Sequence, residues 1–341
     1  MLALKILEIK EEPVIKEGDP GTEGNIYGFE GGTIIRLNSV IHLFTAEVCC
    51  DPKVVKTRLA YWKSKDGLRF SRVKTLFESS GNFDGSDPRA SLWSPMPIFN
   101  DKSNKWNLFY VCYRAAPPLP GKFSELTFRH NMHGIITRAE SVREGIEGIE
   151  GPYEDKETAL QPGENSDWWE GIQGTDSFYP YKVDDRWLSF YGSWRSNNVW
   201  NDKLWFGVGL VSANSLEGPW SRLSAYNPVL LDPFFVENPI VIRLPDGEFL
   251  SIYDTGPEND SIGYATSADG VNWKRGKLIG FPPGKPSWRG VLRTPLCLLP
   301  EKDNMFSIYY TAFNKKGFLH NEEPRHHSGF GTIGLIKVKA F

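Results

Sequence analysis

Cysteine is scarce in this chain: Cys49, Cys50, Cys112 and Cys297 are the only four in 341 residues. They form no CxxC pair and stand near no histidine at ligand spacing, which argues against a structural zinc site. Cys49 and Cys50 are vicinal and face opposite sides of any strand. No disulfide framework follows, and the four read as small buried hydrophobes. No apolar run approaches the ~18 residues of a membrane span. The first ten residues, Met1 to Lys10, alternate charged and apolar side chains without an apolar h-region or a small-residue cleavage site, so they read as a β-strand of a soluble chain. An excess of charge of one sign is missing too. With 39 basic and 42 acidic residues the net charge is −3. That leaves no generally basic surface for phosphate backbones, and neither nucleic acid nor membrane is an expected partner.

Turn formers and rings are abundant instead. There are 33 Gly and 24 Pro, about one residue in six against roughly 12% in average usage, which argues against a helical bundle. The 21 Phe, 13 Tyr and 12 Trp need a fold with many places to bury rings. Five short segments match one another: Ile41-His-Leu-Phe-Thr45, Trp106-Asn-Leu-Phe-Tyr110, Trp187-Leu-Ser-Phe-Tyr191, Phe249-Leu-Ser-Ile-Tyr253 and Met305-Phe-Ser-Ile-Tyr309. Their starts are 65, 81, 62 and 56 residues apart. Each follows an apolar strand and a polar turn, such as Leu37-Asn-Ser or Leu244-Pro-Asp-Gly247, which is a hairpin signal. A third strand and a closing segment follow, as in Ala60-Tyr-Trp-Lys-Ser-Lys-Asp-Gly67 and Ala265-Thr-Ser-Ala-Asp-Gly-Val-Asn-Trp273.

Five units of three or four antiparallel strands predict an all-β chain folded as one five-bladed β-propeller. The blades fall at about 25–80, 88–165, 170–230, 233–283 and 288–341, with residues 2 to 10 completing the last blade and closing the ring. Two stretches, Ala115 to His133 and the acidic, Gly-rich Arg143 to Asp167, read as loops over one rim.

In a propeller the first strand of each blade lines the central channel, and its start faces one mouth. Aligned there, the five blades give Phe29-Glu-Gly-Gly-Thr33, Trp93-Ser-Pro-Met96, Thr175-Asp-Ser-Phe178, Glu237-Asn-Pro-Ile240 and Arg293-Thr-Pro-Leu296. Three blades thus present a carboxylate: Glu30, Asp176 and Glu237. Carboxylates converging on a narrow mouth repel one another and raise at least one pKa, the arrangement needed for a general acid beside an ionised partner. Glu47 and Glu170 are the replacements for Glu30 should the alignment of blade one be wrong.

These residues resemble the five-bladed propeller glycoside hydrolases, above all family 43 and its relatives, the group that includes families 32, 117 and 137. Family 43 members show Asp before Pro in blade one, Asp before Pro in blade three, and Glu-x-Pro in blade four. Val236-Glu-Asn-Pro-Ile240 matches the last element, and Thr175-Asp-Ser-Phe178 matches the middle one with Ser in place of Pro. Blade one departs from the pattern, with Glu30-Gly31 where Asp-Pro is expected. The resemblance implies that Glu237 is the general acid, that Asp176 orients it and tunes its pKa, and that Glu30 is the base activating water. A shorter separation between the carboxylates would make Glu30 a nucleophile instead, so inversion and retention both stay open.

Sugar rings stack their C–H faces on aromatics, so Trp93, Trp168, Trp169, Trp194 and Trp288 are candidate platforms. Arg89 and Arg293, with Arg289, are candidate donors to sugar hydroxyls or to a substrate carboxylate, and Glu170 is a further candidate contact. The expected partner is a carbohydrate, with pentofuranosides or xylosides favoured by the resemblance. No cofactor is required. A structural calcium ion is compatible with the family, although no acidic loop has EF-hand spacing and the adjacent His326 and His327 face opposite sides of a strand. Two other functions compete. A phosphorylase would hold phosphate with Arg289, Arg293, Arg325 and His326, and a non-catalytic propeller would bind sugar with a drifted triad.

Overall fold

The computed structural model describes residues 2–49, 56–82, 84–114, 132–196, 204–232, 235–256, 261–282, 286–314 and 329–341. His326, His327 and Arg325, and residues 115–131 of the expected insertion, lie outside them. The chain opens with β1 (Leu4–Ile9). Blade I follows as β2 (Phe29–Leu37), β3 (Val40–Cys49), β4 (Lys56–Ser64) and β5 (Ser71–Glu78). Blade II is β6 (Ser91–Asn100), β7 (Lys105–Tyr113), β8 (Gly134–Glu144) and β9 (Tyr153–Leu160). Blade III is β10 (Asp176–Val183), β11 (Arg186–Ser196), β12 (Leu204–Ala213) and the two-residue β13 (Ser221–Arg222). Blade IV is β14 (Glu237–Arg243), β15 (Phe249–Thr255), β16 (Ser261–Ser267) and β17 (Lys274–Leu278). Blade V is β18 (Val291–Pro295), the short β19 (Leu299–Pro300), β20 (Met305–Phe313) and β21 (Thr332–Ala340), with β1 as its outer strand. The pairs run antiparallel, and the arrangement is the five-bladed β-propeller that the repeat predicts.

Local chemistry explains the hairpins. Between β2 and β3 the two turn residues Asn38 and Ser39 both have positive φ, 47° and 65°, the two-residue turn whose twist suits flanking strands. The Asp-Gly turns after the third strands of blades I and IV share one wiring. Asp66 accepts the backbone N–H groups of Leu68 and Arg69, and Asp269 those of Val271 and Asn272. Each turn then docks on its neighbour, because Tyr309 donates to Gly67 O and Tyr181 to Gly270 O.

The core lies between blades rather than in one centre. Its ring contacts cross from sheet to sheet: Phe77 on Tyr110 at 5.2 Å, Phe109 on Phe178 at 5.0 Å, Tyr181 on Phe249 at 5.9 Å and Phe29 on Phe330 at 5.8 Å. Each such ring, fully buried, contributes ~1.5–3 kcal/mol, which accounts for the high aromatic content. One sequence expectation is corrected here. Residues 143 to 167 are not simply a rim loop, since Tyr153–Leu160 forms β9, the outer strand of blade II. An outer strand buries little, and the mostly polar Tyr-Glu-Asp-Lys-Glu-Thr-Ala-Leu run conceals it. Cys112 and Cys297 are free thiols.

Two backbone devices shape the mouth of the ring. In all five innermost strands the pairing with the next strand slips at the same level: Glu30/Gly32, Trp93/Met96, Asp176/Tyr179, Glu237/Ile240 and Leu292/Pro295. Such bulges re-aim side chains and are common beside active sites. In four blades the residue after the aimed side chain is left-handed: Gly31 at φ 69°, Ser94 at 50°, Ser177 at 46° and Asn238 at 50°. The second device is close approach of main chains. Gly28 bridges Gly331 and Gly134 bridges Gly174, and a Cβ on Gly28 would lie 2.2 Å from Gly331 N. Glu30 and Asp176 each follow two residues after one of these glycines.

Candidate active site

Four carboxylates and one guanidinium meet at this mouth. Glu30 is the second residue of β2, while Asp176 and Glu237 are the first residues of β10 and β14. Arg293 in β18 is 6% exposed. Its Nη2 donates to Glu30 Oε1 at 3.2 Å and to Glu237 Oε2 at 3.3 Å. The fourth carboxylate, Asp254 in β15, was not expected from the sequence. It sits directly across the hairpin from Glu237, is 2% exposed, and accepts from Asn238 Nδ2 at 3.2 Å. Thr294 donates to it at 3.5 Å. Ser177 donates to Asn238 Oδ1 at 2.6 Å, so a polar chain runs from blade III through blade IV to blade V. Asp176 is held by Gln173 Nε2 at 3.1 Å and by the Tyr113 hydroxyl.

The electrostatics follow from burying so many acids together. Desolvation, with Asp176, Asp254 and Glu30 close by, pushes the Glu237 carboxyl up from 4.5 to about 8, although Arg293 opposes the rise. Burial likewise lifts Asp254 to about 7, against Arg293 and its hydrogen bonds from Asn238 and Thr294. Asp176 is raised for the same reason, with its bonds to Tyr113 and Ser177 working the other way. Arg293 moves upward because Glu30, Asp254 and Glu237 outweigh its desolvation. At neutral pH Glu237 therefore keeps its proton in the midst of three further acids. A protonated acid next to carboxylates is what proton donation to a leaving oxygen requires.

Several other candidates are placed elsewhere, and each for a visible reason. Glu170 is tied to Arg222 at 2.5 and 2.8 Å and to the Tyr191 hydroxyl at 2.9 Å, so its carboxylate is engaged in an ion pair within blade III. Glu47 is fully buried between Arg58 and Arg72, with Trp62 Nε1 donating at 2.8 Å. Arg89 is taken by Asp155 at 2.6 Å and Tyr110 at 2.7 Å, and its guanidinium lies over the Phe77 ring. It braces blade II instead of facing the carboxylates.

The tryptophans divide in the same way. Trp169 is fully buried against Tyr191 at 5.2 Å, so its ring is core and not a platform, while its neighbour Trp168 is 68% exposed. Trp194 is 3% exposed. Trp288 stacks on Tyr310 at 6.4 Å and donates to Glu11 O. Trp93 lies at the bulge of β6, level with the acids, and is 6% exposed. Arg289 packs over Phe281 and Trp288. Among the described residues no cluster of three or more His, Cys, Asp or Glu has metal-holding geometry.

No family profile matches the chain, and no curated protein does. Solved structures do match over almost the whole ring. BT0996 in its RGII complex has a TM-score of 0.72 at 13% identity, covering 98% of this chain and 92% of that one. Zg3597, a family 117 glycoside hydrolase from the marine bacterium Zobellia galactanivorans, has a TM-score of 0.62 at 12% identity, with 98% and 90% covered. A thermostable family-43 glycoside hydrolase has a TM-score of 0.55 at 15% identity, with 95% of each chain covered. The fold is that of the five-bladed propeller glycoside hydrolases, as the blade motifs indicated.

Proposed function

We propose that the protein is a glycoside hydrolase, with the carboxylate mouth of the propeller as its active site. The observation that carries this reading is Glu237: a carboxyl lifted to about 8, bonded through Arg293 to a second glutamate on another blade. Burying four acids at one point costs stability, and a merely structural or sugar-binding role would not require it. The likeness to glycoside hydrolase structures supports the same reading at the level of fold.

Glu237 donates its proton to the glycosidic oxygen as the bond to the anomeric carbon breaks. Glu30, as carboxylate, acts on the anomeric centre from the other side. Asp176, held by Tyr113 and Gln173, lies close enough to Glu237 to add to the upward shift of its carboxyl. Asp254 fixes Asn238, the left-handed residue next to Glu237, and so is a positioning residue. Arg293 balances the cluster's charge. The substrate is a carbohydrate, and a pentofuranoside or xyloside is the favoured class through the family resemblance. Of the four residues given to phosphate in the phosphorylase reading, Arg293 serves two carboxylates and Arg289 packs on rings, while Arg325 and His326 lie outside the described residues.

A panel of 4-nitrophenyl arabinofuranosides, xylosides, galactosides and fucosides, in both anomeric forms and with or without phosphate, tests the proposal. Phosphate-independent release of nitrophenol is expected, abolished in Glu237→Gln with substrate binding retained. Near-wild-type rates in that variant would remove the acid assignment. Turnover only with phosphate would favour the phosphorylase.

A further inference from the structure

We propose that the protein carries a second ligand site, a cavity between blades I and II on the face of the ring opposite the carboxylate mouth, which takes a neutral mono- or oligosaccharide and anchors the protein to it. The choice of ligand rests partly on the glycoside hydrolase reading; the cavity itself does not.

The strands separate this cavity from the acids. Glu30 stands at the start of β2 and Leu37 ends it, and Leu37, Asn38 and Val40, at the β2–β3 turn, line the cavity. That length of strand spans roughly 20 Å, so one sugar unit cannot touch both sites. Blade I adds His42, the end of β4 and the turn that follows. Blade II adds the short 3-10 helix Ile146–Glu150 that joins β8 to β9. The volume is about 560 Å³, within the ~300–1,000 Å³ of small-molecule sites.

The polar wall is held in place by the protein's own bonds. His42 is 6% exposed, and its Nδ1 lies 2.7 Å from the Tyr61 hydroxyl oxygen. Tyr61 in turn donates to Glu150, and Glu150 pairs with Lys63 at 3.1 Å, so the chain crosses from one blade to the next. Burial lowers the pKa of His42, and the ring is uncharged at neutral pH. On the same side Ser64 donates to Asp66 at 3.1 Å, and Asp66 holds Arg69 at 2.8 Å.

The charge balance selects the ligand. Lys63, Lys65 and Arg69 line the cavity together with Asp66, Glu147 and Glu150, three cations and three anions. A charged ligand would leave an excess of its own sign there and compete with ion pairs already formed. A sugar hydroxyl both donates and accepts, so one neutral ring uses the carboxylates and the ammonium groups at once. Leu37, Val40 and Ile149 supply an apolar patch for the C–H face of the ring.

The test reads Ile149, which is 2% exposed and lines the cavity. Its δ1 methyl is followed by NMR in protein labelled at isoleucine methyls, with Ile149→Val giving the assignment. The probes are free arabinose, xylose, galactose and fucose, together with xylotriose. At least one should move the Ile149 signal saturably, with an affinity of about 1 mM. Glu147→Ala should weaken that binding about 10-fold and leave kcat/KM for nitrophenyl glycosides unchanged. Val40→Trp, which fills the cavity, should abolish the shift. A signal unmoved by every probe at ~100 mM, or an affinity that Glu147→Ala leaves unchanged, would overturn the site. A response to glucuronate or glucosamine, with none to the neutral sugars, would overturn the ligand class. Glycoside cleavage with a silent Ile149 leaves the hydrolase reading standing and removes this one. A responsive Ile149 in a protein that cleaves no glycoside does the reverse.

Discussion

Replacing Glu237 by Gln should make the protein more stable at alkaline pH while it loses activity. The sign follows from proton linkage. Glu237 titrates at about 8 in the folded protein against an ordinary 4.5, so between these values the native state holds a proton that the unfolded chain has released. Stability then falls as pH rises through that window, at about 1.4 kcal/mol per pH unit. Across the whole window the ceiling is ~5 kcal/mol, fully developed only above pH 8. Gln at 237 keeps the shape and cannot ionise, so this contribution to the slope vanishes. The assay is urea unfolding of wild type and Glu237→Gln at pH 5 and pH 8.5, followed by tryptophan fluorescence. The stability difference between the proteins should change by ~2–5 kcal/mol in favour of the variant on going to the higher pH. Equal slopes, or a variant that loses stability faster than wild type, would refute the claim that Glu237 is buried with its proton.

Activity itself should fall above about pH 8 as Glu237 ionises, and the limb should show in kcat measured on a nitrophenyl glycoside at constant ionic strength. Glu170→Gln should cost ~2–4 kcal/mol in unfolding experiments by stranding Arg222, with kcat/KM changed far less than by Glu30→Gln. Gly28→Ala should both destabilise the ring and lower activity, because its Cβ would meet Gly331 N at 2.2 Å from a φ of 85°; calorimetry alongside nitrophenol release measures both. Deleting residues 1–10 removes the strand paired with β21 and should lower Tm by several degrees, with loss of activity only on heating.

The blades were legible because each repeats the same apolar strand pair around a turn, and rings between sheets enforce that pattern. The three acids and Arg293 were legible because they begin innermost strands, where register leaves little freedom. Asp254 escaped notice since it ends an otherwise apolar second strand. Counting back from the Asp246-Gly247 turn would have set it opposite Glu237, but only once the bulge was known. Glu47, Glu170 and Arg89 misled because isolated charges in sequence give no sign of their partners. Arg58 lies across the strand pair from Glu47, whereas Arg222 is 52 residues from Glu170 and Asp155 is 66 from Arg89. In Trp168-Trp169, one ring faces solvent and the other the core, and nothing in a vicinal pair says which.

The paired glycines at the mouth bear on how such a chain diverges. Where blades touch through main chain, Gly28 against Gly331 and Gly134 against Gly174, the spacing of the acids two residues later does not depend on which side chains fill the wedges between sheets. Mutations can drift through those wedges, one compensating another, without moving the chemistry. A lineage built this way can keep its ring and its mouth while erasing nearly all recognisable sequence, which fits a chain that superposes on other propellers at 12 to 15% identity.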